Sequence, residues 1–198
     1  MKVVFFGTPD FAVACLKALV ESGQSICAVV TAPDKPAGRG LKLQFSAVKK
    51  YALEHHLEVL QPEKLKEPVF IEKLKSYQAE VQVVVAFRML PEVVWNMPKY
   101  GTINLHASLL PQYRGAAPIN WAIINGEKIT GVTTFRLQHA IDTGGVLLQE
   151  QVAIQPDETA GTLHDKLMNI GAILMVKTIE GIEAGTLTEH PQKNLPAL

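Results

Sequence analysis

Asn104 and His106 stand two residues apart around the end of the apolar segment GTINL (101–105), just before a stretch rich in proline and glycine. An amide N–H can donate to a carbonyl oxygen, and an imidazole donates or accepts a proton near neutral pH. Asp142 lies in a glycine-rich turn between two further apolar segments. An amide, an imidazole and a carboxylate can together carry out acyl transfer without a serine or cysteine nucleophile.

Residue chemistry alone leaves a second interpretation of this set open. Asn104 and His106 could equally be structural residues whose polar atoms are satisfied by neighbouring backbone. Ser108 is close in the chain, but no G-x-S-x-G sequence surrounds it, so a hydrolase-type nucleophile is not indicated. His139, His164 and His190 lack partners at metal-ligand spacing, and we predict no metal site.

Apolar segments alternating with amphipathic stretches predict the elements that position these residues. KVVFF (2–6) and ICAVV (26–30) predict buried strands, joined by a helix that Thr8 caps and Gly23 ends. This order implies a right-handed crossover, and hence an α/β three-layer sandwich with a largely parallel, Rossmann-like sheet and helices on both faces. The pattern continues with predicted helices at 46–56, 67–77, 90–97 and 163–182, and predicted strands at 57–60, 81–87, 101–105, 131–137 and 145–154.

The segment TAPDKPAGRGLKLQ (31–44) follows the second predicted strand, where open α/β sheets place their ligand loops. It carries Lys35, Arg39 and Lys42 and a single acid, Asp34. One interpretation is a mobile surface loop. The other is a local basic finger that contacts phosphates.

Composition limits the classes of protein to which this chain can belong. Nineteen basic residues balance 19 acidic ones, so no overall charge attracts the chain to nucleic acid or to a membrane. A hydrophobic fraction of 47% is enough for a globular core, and the first apolar run is too short for a signal peptide or a membrane span. Cys15 and Cys27 lack disulfide or metal spacing, as is typical of a reducing compartment. We therefore expect a cytoplasmic protein, and a monomer.

Two sets of motifs carry a family resemblance. NLHASLLPQYRGAAPINWAI together with IDTG resembles the folate-dependent formyltransferases, and GTPDFA with PDKPAGRG resembles their methionyl-tRNA formyltransferase branch. The resemblance runs from Lys2 to about residue 189. It implies that Asn104, His106 and Asp142 are catalytic. It also implies that 10-formyltetrahydrofolate is the co-substrate and that methionyl initiator tRNA accepts the formyl group in translation initiation.

The resemblance also implies two binding segments. The family's tRNA-contacting loop matches residues 31–43, where Lys35, Arg39 and Lys42 supply the positive charge. Many members read VAYG after the central strand, whereas this chain reads VAFRML, which places Arg88 beside the expected pterin pocket. With placement at strand ends, the resemblance assigns the folate co-substrate to Phe87, Arg88, Met89, Leu90, Ser108, Leu109, Leu110, Pro111 and Ile141.

The resemblance implies a catalytic domain at 1–189, with 190–198 beginning a linker to a β-barrel domain that binds tRNA in the family and is absent from this sequence. Two alternatives remain. A sugar-nucleotide N-formyltransferase would share the NLHASLLP motif but would lack the PAGRG loop. A folate-binding module without turnover would not need the complete set of Asn104, His106 and Asp142.

Overall fold

The computed structural model describes residues 1–37 and 42–192. The chain divides into two compact units, Met1–Thr102 and Ile103–Leu198, which are described separately below. Among the described residues, no helix is both long and apolar enough to cross a lipid bilayer.

The first unit has a parallel sheet in its core. Its elements are β1 (Lys2–Gly7), α1 (Asp10–Glu21), β2 (Ser25–Val30), β3 (Lys35–Ala37), β4 (Lys42–Gln44), α2 (Ala47–Glu54), β5 (Val59–Leu60), α3 (Pro68–Ser76), β6 (Val81–Val85) and α4 (Glu92–Trp95). The strand order is β5-β2-β1-β6, and all three pairings are parallel, as the strand–helix–strand pattern predicts. Phe5 and Phe6 are both fully buried, so both faces of β1 are covered. Each such side chain contributes roughly 1.5–3 kcal/mol by its burial.

The start of α1 differs from the prediction. Pro9, not Thr8, is the residue that precedes the helix, and its carbonyl accepts the N–H groups of Ala12 and Val13. The carbonyl of Thr8 instead accepts the N–H of Val48, which holds this residue outside the helix. Gly23 follows the helix with a φ of +82°, as its predicted role in ending the helix requires.

The segment 31–44 is predicted as a loop, but its described part contains a short antiparallel hairpin. β3 pairs with β4, with Lys35 opposite Gln44 and Ala37 opposite Lys42. Residues 38–41, which include Arg39, lie outside the described residues.

Asp34 ties the base of this hairpin to the body of the unit. Its carboxylate accepts hydrogen bonds from Lys49 Nζ of α2 at 2.5 Å and from Gln61 Nε2 at 2.8 Å. Gln61 also donates to the carbonyl of Ala32, and the Lys49 ammonium lies 4.0 Å from the ring centre of Phe45. Asp34, the single acidic residue of this segment, therefore anchors the start of the hairpin to α2 and to Gln61.

The second unit is built on an antiparallel sheet. Its elements are β7 (Thr102–His106), α5 (Pro118–Ile124), β8 (Ile129–Arg136), β9 (Val146–Ala153) and α6 (Ala160–Glu183). β7 and β9 each pair antiparallel with β8, and the 137–145 turn joins β8 to β9. Thr159 caps α6 through a reciprocal pair of hydrogen bonds with Thr162, and α6 buries the apolar stripe that predicts it, including Leu163, Leu167 and Ile179.

Helix α5 is not among the helices that the sequence predicts. Pro118 occupies the start of this helix, where its missing N–H costs nothing and its fixed φ suits the first turn. Ala117 precedes it in a left-handed conformation with a φ of +55°. Proline therefore begins a helix here, within a stretch that is rich in proline and glycine.

We predict that Asp34→Asn changes how stability depends on pH. The hydrogen bond from Lys49, and then that from Gln61, lowers the pKa of Asp34 below its ordinary value. A lowered carboxyl pKa stabilises the folded state above the unfolded-state pKa of about 3.9, and this contribution disappears as the pH falls through the folded-state pKa. Chemical denaturation should therefore show wild-type protein more stable than Asp34→Asn near neutral pH, with the difference shrinking below about pH 4.

The matched control is Glu54→Gln, which removes an exposed carboxylate of α2. It should leave the pH dependence of the free energy of unfolding close to that of wild-type protein. A difference between wild type and Asp34→Asn that stays constant from acid to neutral pH would show that the Asp34 charge does not hold the hairpin base.

Candidate active site

His106 ends β7 and is held by the loop that follows it. Its side chain is 9% exposed, and its Nε2 donates to the carbonyl oxygen of Tyr113 at 2.7 Å. Because a carbonyl oxygen can only accept, Nε2 carries a proton. The other ring nitrogen, Nδ1, lies 3.6 Å from Asp142 Oδ2, which is within ion-pair distance but longer than a hydrogen bond. Nδ1 and the carboxylate therefore face each other without a short hydrogen bond between them.

Asp142 lies in the turn between β8 and β9, with a left-handed φ of +51°. Its Oδ2 accepts the backbone N–H of Gly115 at 2.8 Å, and its side chain is 14% exposed. Two residues later, Gly144 passes so close to the backbone of Arg136 that an added Cβ would lie 1.6 Å from that carbonyl oxygen. Only glycine fits there, so the turn passes close to the backbone at the end of β8 two residues after Asp142.

Asn104 precedes His106 by two residues on β7, so both side chains project from the same face of the strand. Asn104 is half-buried, and its side-chain amide makes no hydrogen bond within residues 1–37 and 42–192. The amide is therefore available to a bound molecule. The second unit thus holds all three predicted catalytic residues, with an amide donor, a ring nitrogen and a carboxylate.

Tyr113 has a left-handed φ of +54° and presents its carbonyl to His106. Its phenol donates to Glu127 Oε1 at 2.5 Å and accepts from Asn125 Nδ2 at 2.9 Å, which ties the loop to the segment after α5. Burial, and then the hydrogen bond to Glu127, raises the pKa of Tyr113, so the phenol keeps its proton. Sequence reasoning misses Tyr113 because its contact with His106 is made by a backbone atom.

The predicted folate segment Ser108–Pro111 is held by the β8–β9 hairpin. Thr133 Oγ1 donates to the carbonyl of Ser108 at 2.6 Å and accepts the N–H of Leu110 at 3.1 Å. Gln149 Nε2 donates to Thr133 Oγ1 and to the carbonyl of Leu110, both at 2.9 Å. Thr133 and Gln149 are further residues that the sequence analysis does not identify.

Within that segment the side chains differ in what they can contact. Ser108 is buried, and its hydroxyl donates to the carbonyl of Gln112 at 2.6 Å. Leu110 is also buried, whereas Leu109 and Pro111 are half-buried and Ile141 is exposed. Leu109, Pro111 and Ile141 are therefore the members of this set that can contact a ligand in this arrangement. Their role in folate binding stays a prediction.

The remaining predicted folate residues follow β6 in the first unit. Arg88, Met89 and Leu90 line a groove of about 870 Å³, while Phe87 packs edge-on against Phe6 with ring centres 5.7 Å apart. The Arg88 guanidinium donates to the backbone carbonyls of Pro62 and Glu63. Arg88, which departs from the family pattern, thus joins the segment after β6 to the segment after β5.

The structure describes two of the three cations that are predicted to contact tRNA. Lys35 is exposed at the start of β3, Lys42 begins β4, and Arg39 lies outside the described residues. In the part of the chain that the structure describes, no group of three or more His, Cys, Asp or Glu side chains could hold a metal ion.

The sequence was compared with models of known protein families. The family model described as formyl transferase matches residues 1–179, which is most of the chain. The chain belongs to the formyl transferase family. The predicted family is thereby confirmed.

Curated relatives of this chain share one name. A methionyl-tRNA formyltransferase of Bacteroides fragilis is 56% identical over 195 residues, covering 98% of this chain and 60% of the relative. A methionyl-tRNA formyltransferase of Azobacteroides pseudotrichonymphae is 59% identical over 187 residues, covering 94% of this chain and 58% of the relative. The chain therefore spans about three fifths of the length of these relatives.

Solved structures confirm the predicted α/β fold class. Glycinamide ribonucleotide transformylase 1 from Symbiobacterium toebii superimposes with a TM-score of 0.80 at 15% identity, covering 98% of this chain and 94% of that one. An N-formyltransferase from Helicobacter canadensis, crystallised with folinic acid and dTDP-3-aminofucose, has a TM-score of 0.69 at 25% identity. That match covers 98% of this chain and 68% of the other.

We predict that Thr133→Val destabilises the protein because it leaves polar groups of the Ser108–Leu110 backbone without a partner. Each buried group that loses its hydrogen bond costs about 1–3 kcal/mol, and the isosteric valine keeps the packing volume. Thr133→Ser keeps the hydroxyl and should retain most of the stability. Urea denaturation of the two variants gives the comparison, and equal stability of both would contradict the bridging role of the Thr133 hydroxyl.

Proposed function

We propose that this chain transfers a formyl group from 10-formyltetrahydrofolate to the α-amino group of methionyl initiator tRNA. The observation that carries the proposal is the placement of His106 Nδ1 3.6 Å from the Asp142 carboxylate, on the strand that also carries the half-buried Asn104. The relatives named methionyl-tRNA formyltransferase support the choice of acceptor, because several are 55–59% identical over at least 94% of this chain.

The reaction begins when the neutral amine attacks the formyl carbon and negative charge develops on the formyl oxygen. The Asn104 amide donates to that oxygen, and one such donor is typically worth about 2.7–4 kcal/mol of transition-state stabilisation. Protonated His106 donates from Nδ1, because Nε2–H is held by the Tyr113 carbonyl. Two donors on one face of β7 therefore oppose the developing charge.

Collapse of the tetrahedral species requires one proton to leave the amine and one to reach the folate nitrogen N10. Asp142 takes the ammonium proton, directly or through a water molecule, and His106 Nδ1 protonates N10 as the bond from carbon to N10 breaks. The formyl carbonyl re-forms on the new amide, and tetrahydrofolate leaves. Proton passage from Asp142 to His106 across the 3.6 Å gap then restores the starting state.

The co-substrate contacts are part of the same proposal. Leu109, Pro111 and Ile141 offer apolar surface beside the catalytic residues in the second unit. The family resemblance assigns Phe87, Arg88, Met89 and Leu90 to the same co-substrate, and this assignment stays a prediction.

The tRNA contact is proposed for the basic segment 31–43. With 19 basic and 19 acidic residues the chain has no general attraction for a polyanion, so local cations must supply it. Lys35, Arg39 and Lys42 are those cations, and the only acid among them, Asp34, is already paired with Lys49. Because the proposed acceptor is an aminoacylated tRNA, we propose that the protein acts in the cytoplasm. The monomeric state stays a prediction.

The proposal is tested by following a labelled formyl group from 10-formyltetrahydrofolate to a panel of acceptors. The panel contains methionyl initiator tRNA, glycinamide ribonucleotide and an amino-sugar nucleotide. We expect label on the tRNA. Transfer only to the ribonucleotide or the sugar nucleotide would overturn the choice of acceptor, and folate binding without any transfer would identify a binding module.

We predict that Asn104→Ala, His106→Ala and Asp142→Asn each lower kcat/KM by about 10²–10⁴-fold, because each removes a donor or a proton carrier. The double variant His106→Ala/Asp142→Asn should be little worse than the poorer single variant, since both residues act on the same proton transfer. Steady-state kinetics and urea denaturation separate activity from folding. Losses that multiply in the double variant would contradict the shared role.

A further inference from the structure

Residues beyond the family match, which ends at residue 179, return to the candidate active site. His190 pairs with Val146 at the start of β9 through two backbone hydrogen bonds of 2.8 Å. Two residues further on, Gln192 Nε2 donates to the backbone carbonyls of Asp142 and Gly144, both at 2.8 Å. The end of the described chain is thus bound to the turn that carries the catalytic carboxylate.

The amide oxygen of Gln192 also takes part in hydrogen bonds. Arg114 donates to Gln192 Oε1 from Nε at 3.0 Å and from Nη2 at 2.7 Å. The next residue, Gly115, donates its N–H to Asp142 Oδ2 at 2.8 Å. The loop after β7 therefore holds Asp142 twice: directly at its carboxylate, and through Gln192 at its backbone carbonyl.

Asp142 needs such restraint because its φ of +51° is unfavourable for a residue other than glycine, at a cost of roughly 1–3 kcal/mol. If the turn relaxed, the carboxylate would move away from His106 Nδ1. We propose that Gln192, oriented by Arg114, is a positioning residue that holds Asp142 opposite His106 for proton transfer. This inference rests on the proposed function of the Asn104, His106 and Asp142 set.

The chemistry of the contact requires a glutamine. The NH2 group donates to two carbonyl oxygens while the amide oxygen accepts from a guanidinium, and no other side chain of this length does both. A glutamate at this position would keep the pairing with Arg114 but would place an acceptor against the two carbonyls. Gln192→Glu therefore removes the two donors that hold the turn and keeps the contact with the loop.

The kinetic test compares Gln192→Glu and Gln192→Ala with wild-type protein. We expect kcat to fall by about 10- to 100-fold, the loss that a misplaced catalytic group brings, with KM for 10-formyltetrahydrofolate nearly unchanged. The pH profile of kcat should also shift, because the Asp142 charge no longer faces His106. Gln138→Glu is the matched control: it adds the same charge at an exposed position of the 137–145 turn, and it should leave kcat and the profile unchanged.

A second readout separates this inference from the proposed reaction. The ring signals of His106 in nuclear magnetic resonance report its distance from the Asp142 charge whether or not any acceptor is formylated. They should shift in Gln192→Ala, which adds no charge of its own near the ring, and stay in place in Gln138→Glu. Unshifted His106 signals in Gln192→Ala, or an unchanged kcat and pH profile in Gln192→Glu, would overturn the positioning role. Absence of formyl transfer by wild-type protein would refute the proposed function alone.

Discussion

The hydrogen bond from His106 Nε2 to the carbonyl of Tyr113 determines what the rest of the second unit can do. It commits one ring nitrogen to the backbone and leaves Nδ1 facing the Asp142 carboxylate. The loop after β7 has to present a carbonyl at the right place, and the turn after β8 has to present a carboxylate on the other side of the ring. Both segments adopt conformations that their sequences would otherwise avoid.

The energies explain why so many hydrogen bonds surround these two segments. Tyr113 and Asp142 each have a positive φ that costs roughly 1–3 kcal/mol, whereas an ordinary hydrogen bond contributes a net of about 0.5–1.5 kcal/mol. One bond per residue therefore offsets only the lower part of that cost. Tyr113 has three, to His106, Glu127 and Asn125, and Asp142 is held at its carboxylate and at its backbone carbonyl. The strain persists because the neighbouring contacts over-determine it.

The sequence predicts the parts of this site that depend on residue type and local periodicity. The apolar segments of β1, β2 and β6 and the stripe of α6 are visible because buried strands and amphipathic helices have distinct patterns. Asn104, His106 and Asp142 are visible because few side chains can exchange protons or stabilise an oxyanion.

The supporting contacts are hidden from sequence reasoning for two physical reasons. Tyr113 acts through a carbonyl that every residue has, so its identity gives no signal. Thr133 and Gln192 reach partners 25 and 50 residues away, and no local pattern reports such contacts. The helix that begins at Pro118 is not predicted because it follows a stretch rich in proline and glycine, although proline is well suited to a first turn.

The tautomer of His106 is the most direct measurement of the central interaction. Long-range nitrogen–proton correlation spectra, recorded where the ring is neutral and assigned with a His106→Gln variant, show which ring nitrogen carries the proton. We predict a proton on Nε2 and an unprotonated Nδ1, in wild-type protein and in Asp142→Asn alike. A neutral ring with its proton on Nδ1 would contradict the account, because the Tyr113 carbonyl would then have no donor and Nδ1 would be occupied.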